Sequence, residues 1–186
     1  MVSLQPPVCE FDLPIVDFSL ADTEGKIWTP ESLKGENGLL IMFICNHCPY
    51  VKAILDRIIR DTRKLQEYGV NTVAIMSNDP SEYPEDSPEN MQKIAREKSF
   101  PFPYLLDQTQ EVAKNFGAIC TPDFFGYNGD LKLQYRGRLD ESRKETASSE
   151  ARRDLFLAMR EVAETGMGPK EQFASMGCSI KWRDET

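Results

Sequence analysis

Cys45 and Cys48 stand three residues apart in ICNHCPY (44–50), with His47 immediately before the second thiol. Two thiols at this spacing can form a reversible disulfide, hold a metal, or be core residues that are neighbours by accident. The local pattern favours the disulfide. An apolar run ends at residue 44 and a helical pattern begins after Pro49, so Cys45 falls where free N–H groups favour a thiolate over a thiol. Cys48 lies within the first helical turn on the same side, placed to attack a mixed disulfide formed by its partner. A protonated His47 would stabilise a thiolate and make the disulfide more oxidising. Asn46, inside the motif, is expected to meet substrate.

Five cysteines, at 9, 45, 48, 120 and 178, are odd in number and scattered, a poor disulfide framework. His47 is the single histidine, so a zinc site would need mostly cysteine ligands, drawn from Cys45, Cys48, Cys120 and Cys178. There is no second C-x-x-C, and neither a metal nor another cofactor is expected.

A second constellation is AICTPDFF (118–125), which puts Thr121 and Pro122 at the start of a strand. Proline there can be an edge device. Facing a C-x-x-C, however, it would be a cis-proline loop, with the Thr121 backbone free to pair with an extended substrate chain. Cys120 would share that neighbourhood.

The elements that must position these residues read clearly. GLLIMFI (38–44) is a strand buried on both faces, and Val51, Ile54, Leu55, Ile58, Ile59, Thr62 and Leu65 recur at helical spacing up to a stop at Gly69. VNTVAIM (70–76) is a second buried strand, which completes a right-handed βαβ unit. An acidic, proline-rich loop follows at 77–88. Ser87 and Pro88 open a helix to about Glu97. A short FPYLL strand comes next, then a helix with Asp107 and Gln110 as a capping box and Gly117 as its end. Asn128-Gly129 predicts a type I′ hairpin between DFFGY and LKLQYR. A last helix is expected over 148–165, and FSLADTEGKIWT should be a hairpin turning at Asp22–Gly25. The order βαβ, inserted helix, ββα is the thioredoxin fold, an α/β fold with a central mixed sheet flanked by helices, carrying an N-terminal hairpin and a central insertion. One domain is expected over 1–186, with a C-terminal tail over 167–186.

Composition excludes several function classes. Hydrophobic residues at 40% and charged residues at 28% describe a globular chain. A net charge of −8 argues against nucleic-acid or anionic-membrane partners. No apolar run is long enough to span a membrane and MVSLQPPVCE is not a secretory signal, so a cytoplasmic location is expected.

With CNHCPYV, CTPDFF, YRGRLD and a terminal GCSIKW in this order, the chain resembles thioredoxin-fold proteins of the peroxiredoxin-like (redoxin, AhpC/TSA-type) and membrane-anchored-thioredoxin-like kind. The resemblance covers roughly residues 11–182. It implies that Cys45 attacks, Cys48 resolves and Pro122 is the cis-proline. It implies a thiol–disulfide oxidoreductase acting on a protein or small-molecule disulfide or thiol, with a separate electron donor. The pattern departs at Ile44, where thioredoxins carry Trp. It departs again in GLLIMFI, which lacks the buried acid that takes the resolving cysteine's proton.

A thiol peroxidase is the alternative, because Cys48-Pro49 resembles the Cys-Pro of peroxiredoxins. Those enzymes add a hydroxyl three residues before the cysteine, where this chain has Cys45, and an arginine, which Arg136 or Arg138 could supply. Both arginines are expected to be solvated charges at a strand end. A thiolate metal-binding or adaptor protein is a further alternative.

Overall fold

The structure, a computed structural model, describes residues 2–184. A short strand β1 (Ser3–Leu4) precedes the hairpin β2 (Leu20–Ala21) and β3 (Ile27–Trp28). Asp22 closes that hairpin by accepting from the amides of Glu24 and Lys26. Helix α1 (Pro30–Leu33) leads into β4 (Gly38–Phe43), and α2 (Pro49–Lys52) and α3 (Leu55–Gln66) lead into β5 (Val70–Met76). Next come α4 (Pro88–Glu97), β6 (Tyr104–Leu106) and α5 (Glu111–Phe116). The chain then forms β7 (Cys120–Thr121), β8 (Asp123–Asn128) and β9 (Leu133–Arg136), followed by α6 (Asp154–Thr165) and β10 (Gly177–Ser179).

The central sheet has the order β6-β5-β4-β8-β9, parallel between β4, β5 and β6 and antiparallel from β4 to β8 to β9. All six residues of β4 are buried, and the strand's period of two divides them between the faces. Leu40 and Met42 pack with Ile58, Leu65, Leu155 and Met159 of α3 and α6. Leu39, Ile41 and Phe43 pack with Leu33 of α1 and Val112, Ala113 and Phe116 of α5. Helices therefore cover both faces, as a parallel core requires.

Several local expectations need correction. The helix after the motif is two helices, broken at Ala53–Ile54, where the Thr146 hydroxyl takes the Ala53 carbonyl at 2.5 Å. Asp107 and Gln110 are not a capping box. Asp107 accepts from the Ala113 amide and from Ser77, while Gln110 sits in the left-handed region and donates to the Ser77 and Lys181 carbonyls. The Asn128 turn is not type I′. Leu131 is its left-handed residue (φ 55°), and the Asn128 side chain accepts from the amides of Asp130 and Lys132. The last helix begins at Asp154 rather than 148.

The tail has a definite course. Strand β10 lies between β1 and β7, forming a second, three-stranded sheet. Beyond it, the Lys181 amide donates to Asn78 and the Arg183 amide to Gln110. No helix among the described residues is long and apolar enough to cross a membrane.

Candidate active site

The end of β4 carries Cys45 into a junction sealed on every side. Cys45 is 1% exposed and Cys48 0%, so both sulfurs are shut off from solvent. Thr121 stands between the two sulfurs, with its hydroxyl 3.2 Å from Cys45 Sγ and its carbonyl 3.2 Å from Cys48 Sγ. The peptide bond between Thr121 and Pro122 is cis. Both thiols are free.

Their acidities are split, and in the opposite order from the one expected. Cys48 is lowered to about 5, first by the neighbouring Cys45 thiol and further by the nearby Cys178 thiol and the amides of Val51 and Cys178, against the cost of burial. Cys45 is raised well above an ordinary thiol by burial, by the neighbouring Cys48 sulfur and by the nearby Asp86 charge. The geometry accounts for this. Cys48 caps the N-terminus of α2, which favours a thiolate, whereas Cys45 faces a carboxylate. When protonated, Cys48 donates to the Thr121 carbonyl.

That carboxylate was not anticipated from the sequence. One Asp86 oxygen accepts from the Asn46 and His47 amides at 2.7 and 3.1 Å, and the other from His47 Nδ1 at 2.5 Å and Asn78 Nδ2 at 3.0 Å. Burial alone would raise its pKa, but the donors outweigh burial and hold it below the usual range. His47 stacks on Tyr83 with ring centroids 4.0 Å apart. Its ring is therefore committed to Asp86, and it is not bonded to either thiol. Ligand-type atoms of Cys45, His47 and Asp86 lie within 4.8 Å of one another. A metal held there would have to break into the four hydrogen bonds that Asp86 accepts.

The remaining expected residues fare unevenly. Asn46 is not available to substrate, because its amide nitrogen donates to the Glu85 carbonyl and its oxygen accepts from Tyr104. The Thr121 backbone is not free, because β10 pairs with β7 and puts Cys178 opposite Thr121. Cys120 is buried beside the loop, its thiol 3.7 Å from the Pro122 carbonyl, and burial raises it. Arg136 is not a solvated charge. It is buried on Asp123 at 3.0 Å, and Arg138 pairs with Asp154 at 2.7 Å. Cys178, which the sequence offered only as a possible zinc ligand, lies opposite Thr121. Its pairing with Thr121 spans 57 positions and carries no local signal.

Paired cysteines at the end of β4, facing a cis-proline loop on this sheet order, define a redox enzyme with the thioredoxin fold. The AhpC/TSA family model matches residues 12–146, and the chain belongs to that family. A solved structure of an uncharacterized conserved protein from Geobacillus kaustophilus is 41% identical, with 100% of this chain and 99% of that one covered and a TM-score of 0.93. A hypothetical protein from Sinorhizobium meliloti 1021 is 34% identical over 97% and 99% of the two chains, with a TM-score of 0.92. Peroxidoxin BcpB from Mycobacterium tuberculosis shares the fold at 18% identity, with 83% and 96% covered and a TM-score of 0.60. Curated protein sequences offer no match.

Proposed function

We propose that the protein is a thiol–disulfide oxidoreductase in which Cys48 is the attacking thiolate and Cys45 the resolving thiol. The observation that carries this reading is the placement of the two sulfurs: Cys48 caps α2 in one buried cluster with Cys178, while Cys45 lies against the Asp86 carboxylate, so the first thiol is lowered and the second raised. Cys48 attacks a sulfur of a substrate disulfide, forming one S–S bond as the other breaks, and the substrate's second sulfur leaves as a thiolate. Cys45 then loses its proton and attacks the Cys48 sulfur. This releases the remaining substrate thiolate and leaves a Cys45–Cys48 disulfide for a separate electron donor to reduce. The His47–Asp86 pair, within 4.8 Å, is placed to take the Cys45 proton. It supplies the acid that the β4 sequence lacks.

Magnitudes say what the low value achieves. At neutral pH a thiol near 5 is ionised on the order of 100-fold more than one near 9. Thiolate nucleophilicity falls with pKa by nearly the same factor over about four units, so attack is hardly faster. The effect falls on the equilibrium instead. Two decades of stabilised thiolate at neutral pH make the disulfide more oxidising by about 60 mV. Access to Cys48 requires β10 to move off Thr121.

One observation favours the peroxidase alternative: the thiol that is lowered is the one followed by proline, and Cys45 stands at the position where peroxiredoxins carry a hydroxyl. Against it, Arg136 and Arg138 are engaged with Asp123 and Asp154. Stopped-flow reaction of the reduced protein with a small disulfide and, separately, with hydrogen peroxide decides between the two. The proposal expects a disulfide adduct on Cys48, lost in Cys48→Ser, and slow peroxide oxidation. Faster oxidation of Cys48 by peroxide than by the disulfide would make this a peroxidase.

A further inference from the structure

The chain's own tail occupies the place expected for a substrate. Strand β10 pairs antiparallel with β7, Cys178 opposite Thr121 and Ser179 opposite Cys120. The Ser175 hydroxyl donates to the Pro122 carbonyl at 3.1 Å, and the Ile180 amide to the Ile119 carbonyl at 3.0 Å, so the tail follows the loop on both sides of Thr121. The approach is close enough to require glycine. A Cβ on Gly177 would lie 2.1 Å from the Thr121 oxygen and 2.9 Å from the Pro122 nitrogen. In this register Cys178, 2% exposed, packs in one buried cluster with Cys45 and Cys48, near enough to act on the Cys48 thiol. The thiol thus lies in the Cys48 neighbourhood, where the sulfur of a docked substrate would be.

We infer that residues 175–180 are a tethered substrate strand, and that Cys178 exchanges with the motif in cis. The inference rests on the exchange chemistry proposed above and names its internal partner. In the oxidised protein the Cys178 thiolate attacks the Cys48 sulfur of the Cys45–Cys48 disulfide. The Cys48–Cys178 bond forms, the Cys45–Cys48 bond breaks, and Cys45 leaves as a thiolate and takes up the proton that Cys178 released. One disulfide is consumed and one is made, so the step needs no outside oxidant. Redox state would gate the step. In the reduced protein Cys178 is raised to about 12, first by burial and then by the neighbouring Cys48 sulfur and its charge, while Lys181 and Lys144 oppose. Oxidation of Cys48 removes the second and third causes and leaves the two lysines acting against burial alone. External substrates would dock in the same register, with glycine favoured immediately before the reacting cysteine.

The test titrates reduced Cys9→Ser/Cys45→Ser protein with dithiodipyridine, counting thiopyridone released and mapping disulfides by mass spectrometry. The expected result is two equivalents beyond the background of Cys9→Ser/Cys48→Ser, and a linked Cys48–Cys178 peptide pair. Adding Cys178→Ser should leave one equivalent and a stable adduct on Cys48. One equivalent with a stable Cys48 adduct in both proteins would overturn the tail's role and leave the attacking Cys48 intact. No release from Cys48 in either would overturn the proposed function, and the tail's role with it. Should Cys45→Ser fail to fold, wild-type protein oxidised with diamide gives the same decision. A Cys48–Cys178 linkage beside the Cys45–Cys48 loop supports the exchange, and the loop alone contradicts it.

Discussion

His47 and Asp86, 39 residues apart in sequence, meet at 2.5 Å in a sealed pocket directly beneath the motif. The same carboxylate takes the amides of Asn46 and His47, so it fixes the backbone between the two cysteines. Asp86→Asn puts an N–H₂ where an acceptor is needed and strands at least one buried donor. The expected loss is about 2 kcal/mol or more, read as a lower urea midpoint at unchanged slope. A change of less than about 0.5 kcal/mol would mean that this carboxylate does not hold the motif.

The groups that lower Cys48 belong to Cys45, Val51 and Cys178, not to the imidazole. His47→Gln should therefore leave the midpoint of thiolate absorbance near 5 where it is, while Cys48→Ser removes that transition. A Cys48 midpoint that climbs in His47→Gln by a unit or more would restore the direct role first expected of the ring.

Tail docking can be loosened without touching a cysteine. Gly177→Val drives a branched side chain into the Thr121 carbonyl. If β10 docking weakens by about 1.4 kcal/mol or more, the open population and the alkylation rate of Cys48 rise at least tenfold. Unaltered alkylation would show that some other segment controls access.

Asp123 shows the burden that a buried charge places on the fold. Burial pushes its carboxyl up to about 6, and Arg136, the nearest cation, opposes the rise. A carboxyl raised above its unfolded value near 4 keeps in the fold a proton that the unfolded chain has lost. Its contribution is fully present below that value and is lost as pH climbs through about 6. Arg136→Met should raise the carboxyl further and cost about 3–5 kcal/mol at neutral pH, with much of the loss recovered near pH 4. A loss that does not change with pH would mean that the cost is packing alone.

The legible parts of this protein were those set by local rules. VNTVAIM became the strand Val70–Met76 because a strand covered on both faces has no polar side. Ser87 and Pro88 started α4 where a cap and a first-turn proline belong. The sequence misjudged groups whose role depends on a distant partner. Asp86 sat in an acidic loop that looked solvated, yet folding sets it under His47. Arg136 looked like a strand-end charge until Asp123 was placed beside it. The order of the two thiols could not be read from spacing, because it turns on which one meets Asp86 and which one collects amides.

The reduction potential of the Cys45–Cys48 pair, followed against pH, decides whether the pair holds one acidic thiol. With one thiol of the reduced pair ionised above about 5 and the other raised, reduction takes up two protons below that value and one above it. The potential should fall by about 59 mV per pH unit below the break and by about 30 mV per unit through the neutral range. A slope of about 59 mV that persists to pH 8 would mean that neither thiol is acidic, and would contradict the account.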